Sequence, residues 1–158
     1  MAVHHIPKGY APLTPYLIVD DGAAALEYYK NVFGAIELMR MAMSGGKLGH
    51  AEFTIDGCRV MMADEFPDVG AVSPKTVGGT PVSLSLYVED CDEVFERAIS
   101  AGATPIRPPE DQFYGDRAGV LKDPFGHQWT VATHVEDVSE EEMERRLAAM
   151  DTTLGEPS

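Results

Sequence analysis

Apolar positions along this chain switch between a two-residue and a three-to-four-residue period, and the same switch occurs twice. In the first pass, residues 14–19 are rich in β-branched and aromatic types and predict a strand, with Asp20 or Asp21 placed to cap a helix after it. Ala25, Leu26, Tyr29, Val32 and Phe33 then recur at helical spacing, which predicts one buried stripe, and Gly34 stands where a left-handed cap belongs. Residues 36–43 predict a second strand, broken by Ser44-Gly45-Gly46. Residues 50–55 alternate, with Ala51, Phe53 and Ile55 on one side and His50, Glu52 and Thr54 on the other. Asp56-Gly57 is a hairpin signal, so residues 58–63 should return as the next strand.

The second pass repeats the plan. Residues 82–88 predict a strand, and Asp90 or Asp92 can cap a helix carrying Val94, Phe95, Ala98 and Ile99, closed by Gly102. Pro105, Pro108 and Pro109 confine the next extended stretch to an edge. Residues 115–121 and 128–132 form the last pair of strands around the turn Asp123-Pro124-Phe125-Gly126. The expected organisation is a single domain over 1–135, with module one at about 10–66, a Pro- and Gly-rich linker at 67–81 and module two at about 82–135. A C-terminal helix and tail follow at 136–158. Ser139 and Glu142 form a capping box for that helix, Met143, Leu147 and Met150 share one side, and residues 151–158 should fray.

A chain of 158 residues with 44% hydrophobic and 24% charged residues can bury one ordinary core. Its net charge of -14 argues against nucleic acid and anionic membrane surfaces as partners. Cys58 and Cys91 are too few for a disulfide framework and fit no metal knuckle; buried free thiols in a reducing compartment are expected. No segment has the apolar length of a signal peptide core or a membrane span, so the expected location is the cytoplasm.

The order of these elements, two βαβββ modules in one chain, resembles the vicinal oxygen chelate superfamily of glyoxalases, bleomycin-resistance proteins and extradiol dioxygenases. Within it the chain is similar to the PhnB-like branch. The residues that carry the resemblance are Ile6-Pro7-Lys8-Gly9-Tyr10, Thr14-Pro15-Tyr16-Leu17-Ile18-Val19, Tyr28-Tyr29-Lys30-Asn31-Val32-Phe33-Gly34-Ala35 and His50-Ala51-Glu52-Phe53. Asp111-Gln112-Phe113-Tyr114-Gly115-Asp116-Arg117 and Asp123-Pro124-Phe125-Gly126-His127-Gln128-Trp129 complete the set, over residues 6–134. The resemblance implies an α+β fold with a curved mixed sheet of about eight strands, helices on the convex side, a ligand on the concave side, and a homodimer. It also implies metal-ligand positions at Thr14, Met61, Ser83 and Thr130. Hydroxyl and thioether groups do not replace the imidazole and carboxylate donors such metals take, so no metal and no other cofactor is expected at those positions.

Strand alternation turns Tyr16, Met61, Ser83, Ser85, Tyr87 and Thr130 toward an apolar cleft, a lining suited to a small-molecule ligand. His50 and Glu52 lie two apart on one strand and share its face, so they form a candidate catalytic acid/base pair in which the carboxylate orients the ring. Arg117 stands at the repeat position equivalent to His50 and could clamp an anion, or pair with Asp116 or Asp111; Tyr114 could stack on a planar ligand. His127 should face solvent and His134 should lie beyond the last strand. Three functions are compatible with this set: a metal-independent enzyme using His50 and Glu52 on a small organic substrate, a non-catalytic protein that sequesters an antibiotic or metabolite, and a metal-dependent enzyme with a displaced site on His50 and Glu52.

Overall fold

A computed structural model of the protein describes residues 3–154. The eight strands form two four-stranded sheets, each with one parallel pair. The chain divides into two compact units, one of residues 1–82 with the turn 122–127, the other of residues 83–121 with 128–158.

In the first unit the elements are β1 (Tyr16–Val19), α1 (Gly22–Phe33), β2 (Ile36–Ala42), β3 (Leu48–Ile55) and β4 (Cys58–Asp64), in the sheet order β1-β4-β3-β2. Asp21 is the cap of α1, accepting from the Ala24 amide at 3.0 Å, and Gly34 closes the helix with φ +68°. The Asp56-Gly57 turn fixes Ile55 opposite Cys58, which in turn sets Glu52 opposite Met61. Leu26, Tyr29 and Val32 of α1 are buried, and the Tyr29 ring stacks on Phe53 with centroids 5.5 Å apart. The D-P-F-G turn belongs to this core. Its Phe125 ring meets Tyr28 and Tyr29 edge-on, and a side chain at Gly126 would strike Pro74 at 2.8 Å. Residues 67–81, expected only to link the halves, hold a 3₁₀ turn at Pro67–Val69 and the short helix α2 (Pro74–Val77).

In the second unit β5 (Ser83–Tyr87), α3 (Cys91–Ser100), β6 (Thr104–Asp111), β7 (Asp116–Lys122) and β8 (Gln128–His134) repeat the plan in the order β5-β8-β7-β6. The proline-bearing β6 takes the edge, where one side of the strand has no ladder to lose. The repeat extends to hydrogen bonds. Asp64, ending β4, accepts from the first amide of α1 at Gly22 (2.7 Å); Thr133, near the end of β8, accepts from the first amide of α3 at Cys91 (2.9 Å). The C-terminal helix α4 (Glu140–Leu154) starts at the expected cap, where Ser139 Oγ accepts from the Glu142 amide at 3.2 Å. It continues through 151–154, which were expected to fray; residues 155–158 of that expectation lie outside the described residues.

Three smaller expectations are corrected. Cys58 is exposed rather than buried, because it opens β4 directly after the turn; Cys91 is buried as expected. His127 does not face solvent freely: its Nε2 lies 2.9 Å from the Ile18 carbonyl. His134 is the last residue of β8 rather than a residue beyond it.

Candidate functional site

The open face of the first sheet, opposite α1, carries a continuous polar chain. Tyr16 Oη lies 2.8 Å from His50 Nδ1, and His50 Nε2 lies 3.0 Å from Glu52 Oε1. Tyr10 donates to both Glu52 oxygens at 2.9 and 2.8 Å, and the Arg59 guanidinium donates to Oε2 while standing 4.0 Å over the Tyr10 ring. Cross-strand pairing explains the convergence. Met61 is opposite Tyr16 on one side and Glu52 on the other, so the side chains of β1, β3 and β4 meet in one row. On the remaining flank Met39 is opposite Glu52 and Met41 opposite His50, with a bulge between Glu37 and Met39 setting that register.

Glu52 is 4% exposed and would be costly as an unpaired charge. Hydrogen bonding from His50, then from Tyr10 and Arg59, holds its carboxyl below the usual carboxylate value despite burial. Tyr16 moves the other way: partial burial and the Glu52 charge raise its phenol above the ordinary value.

Beside this row lies a cleft of about 380 Å³, open on one side. Tyr16 stands in its wall with Ile18, Leu48, Ala63, Phe66 and Val69. Two carboxylates border it, both already engaged by backbone: Asp64 accepts from the Gly22 and Leu48 amides at 2.7 and 2.6 Å, and Glu65 from the Ser73 amide at 2.8 Å. Val69 and Ala71 come from the stretch read as a linker, so that stretch builds part of the cleft wall.

Tyr16, Met61, His50 and Glu52 are thus brought together in the first unit. In the second unit Ser83, Ser85 and Tyr87 are exposed at alternate positions of β5, and Ser85 pairs with Thr130 of β8. Tyr114 is exposed and packs edge-on against Phe113. Arg117 does not occupy the His50 face. A side chain at Gly119, two residues on, would strike the Phe95 ring of α3, so Arg117 lies on the helix side of its sheet. There its guanidinium is gripped by Asp92 at 2.6 and 2.8 Å and by Asp111 at 3.2 Å. Asp116, expected as an alternative partner, points to the other face, where it accepts from Tyr87 at 2.6 Å and lies 2.7 Å from His134 Nδ1.

Sequence reading missed Tyr10, Arg59 and the Tyr87–Asp116–His134 group. Arg59 was readable: a two-residue turn after Ile55 puts residue 59 diagonally across from Glu52. Tyr10 carried no local signal, because it precedes the first strand and reaches Glu52 only through the fold.

The positions Thr14, Met61, Ser83 and Thr130 offer hydroxyls and a thioether, which do not fit the divalent metals of this superfamily. Both ring nitrogens of His50 and both carboxylate oxygens of Glu52 already have protein partners, and among the described residues no three His, Cys, Asp or Glu side chains converge as a ligand set.

Comparison with known proteins agrees with this architecture. An uncharacterized protein of Mycobacterium bovis is 42% identical over 140 residues, covering 87% of this chain and 92% of its own. The crystal structure of TioX from Micromonospora sp. ML1 superposes with a TM-score of 0.62 at 28% identity, over 80% of this chain and all of that one. A putative 3-demethylubiquinone-9 3-methyltransferase, PhnB protein, from Bacillus cereus shares the fold at a TM-score of 0.62 and 20% identity, over 78% of this chain and 99% of its own. The family model for the glyoxalase, bleomycin resistance protein and dioxygenase superfamily matches residues 3–131, and the chain belongs to that superfamily.

Proposed function

We propose that this protein binds a small organic molecule in the first unit's cleft and transfers a proton there without a metal. The observation that carries this reading is the line Tyr16–His50–Glu52, joined at 2.8 and 3.0 Å and ending in the wall of a cleft of about 380 Å³. His50 is the acid/base, Glu52 orients its ring, and Tyr10 and Arg59 hold Glu52 ionised. The cleft wall is largely apolar, as small-molecule sites are.

The test begins with a thermal-shift screen of small aromatic and aliphatic compounds on wild-type protein and on Ala63→Phe, which puts a ring into the cleft from its wall. Compounds that stabilise only the wild type are then incubated with wild type and His50→Ala, and products are followed by mass spectrometry. Turnover lost in His50→Ala supports the reading; equal turnover in both sinks the role of His50. Binding without turnover would favour sequestration, the second reading, which the half-open apolar wall of Phe66 and Val69 supports. We also propose a homodimer. The edge strand β2 exposes Ile36, Leu38 and Met41 beside unpaired backbone groups, an edge that proteins usually cover.

A further inference from the structure

We infer that the ligand of this cleft is a weak Brønsted acid, which presents an acidic O–H, N–H or C–H to Tyr16 and gives its proton to the relay. This rests on the cleft-and-relay reading above and fixes the direction in which the relay runs.

The direction follows from counting donors and acceptors. Glu52 receives Tyr10 on both oxygens, Arg59 on Oε2 and His50 on Oε1. Arg59 is permanently charged and Tyr10 has one proton to give, so the carboxylate is ionised and acts only as an acceptor. His50 Nε2 must therefore carry the hydrogen in the 3.0 Å contact. In the neutral ring Nδ1 is then bare, and a bare nitrogen 2.8 Å from Tyr16 Oη is an acceptor. The Tyr16 hydroxyl spends its one proton on His50. No other partner of Tyr16 Oη exists among the described residues, so what it offers a ligand is lone pairs. The groups around the ring are Tyr16 on β1, Glu52 on its own strand, Arg59 and Met61 on β4, Met39 and Met41 on β2, and Tyr10 from the N-terminal segment. The only cation among them, Arg59, is paired to Glu52.

The proton transfer balances. The ligand's X–H bond breaks and its proton goes to Tyr16 Oη, while the Tyr16 O–H bond breaks and that proton goes to His50 Nδ1. The ligand is left as an anion, Tyr16 is again a phenol, and the imidazolium lies between Tyr16 and ionised Glu52. His50 cannot meet the ligand directly while both its nitrogens are occupied, so Tyr16 is the residue that touches it. A raised phenol pKa suits this part, since Tyr16 gives up its proton only as another arrives.

The test uses 2-naphthol, a donor, and 2-methoxynaphthalene, its ether, as probes of matched shape. With wild-type protein at pH 8, naphthol should bind about fivefold to tenfold more tightly than the ether, the discrimination a hydrogen bond supplies. Its bound form should also ionise at lower pH than free naphthol, read from the naphtholate absorption band. Tyr16→Phe should erase the preference, so that naphthol and ether bind alike, and His50→Ala should erase the ionisation shift. Ether binding as tight as naphthol, or a naphthol preference that survives Tyr16→Phe, overturns the inference and leaves the cleft reading standing. If neither probe binds, the cleft reading fails and takes the inference with it. Circular dichroism melts of both variants confirm that each is folded.

Discussion

Tyr29, buried in the aromatic core of the first unit, donates a 2.7 Å hydrogen bond to Asp123, the residue that opens the D-P-F-G turn. The same carboxylate accepts from the amides of Phe125 and His127 at 2.9 and 3.0 Å. One buried aspartate therefore shapes the turn and answers the one polar atom of a ring stacked on Phe53. Burial, with the Asp123 charge, drives the Tyr29 phenol well above its ordinary value.

Replacing Tyr29 with Phe should keep the stacking and lose the hydrogen bond, at a cost of about 1–3 kcal/mol. Urea denaturation should show a lowered midpoint with an unchanged slope. A midpoint equal to wild type would mean that the hydroxyl contributes nothing net.

Glu52 should make the fold sensitive to acid. Its folded-state pKa lies below the ordinary value of 4.5 because His50, Tyr10 and Arg59 bond its charged form. The stabilisation is fully present above pH 4.5 and is lost as pH falls through the lowered value. Glu52→Gln should be less stable at pH 7 by about 3–5 kcal/mol, since it leaves Arg59 uncompensated, and should lose part of the acid-induced drop. Melting curves from pH 7 to pH 3 on both proteins decide it.

His134 should act in the opposite sense. Both its nitrogens face carboxylates, Asp116 at 2.7 Å and Asp137 at 2.9 Å, and only the imidazolium can donate to both. Hydrogen bonds to Asp137 and Asp116 raise its pKa above 6.5. Its contribution is present below pH 6.5 and fades as pH rises through the raised value. An NMR titration should find His134 ionising above 6.5, and Asp137→Asn should bring the midpoint down.

Gly115 should tolerate no side chain. Its φ is +96°, and a Cβ would stand 2.1 Å from the Glu136 carbonyl, while the amides of Val135 and Glu136 both donate to the Gly115 carbonyl. Gly78, at φ +88°, has open space around it. Gly115→Ala should therefore cost clearly more than Gly78→Ala, with faster hydrogen exchange across 135–139 only in the former.

The strands and helices were legible because each carries its own period and its own punctuation: Asp21 and Gly34 bracket α1, and Asp56-Gly57 sets the register that puts Glu52 opposite Met61. The pairing of His50 with Glu52 was legible for the same reason, two residues on one strand. Arg117 was misplaced because its equivalence to His50 came from motif order, and a turn of different length in the second half shifts which face each residue takes. Tyr10 and the 66–71 wall were invisible, since an irregular segment has no period from which its spatial neighbours can be read. The contact of His134 with Asp116 was not legible because the two lie on different strands, 18 residues apart, whose pairing the alternation alone does not state.

The matched caps, Asp64 on Gly22 and Thr133 on Cys91, bear on how such a chain can change over generations. Each half answers its own leading helix amide with a side chain from its own closing strand, so a substitution in one half leaves the other's bond intact. Duplicated halves built this way are free to drift apart. Here one half carries tyrosine, histidine and glutamate beside an open hollow, while in the other a histidine is held between Asp116 of its own sheet and Asp137 of the C-terminal segment.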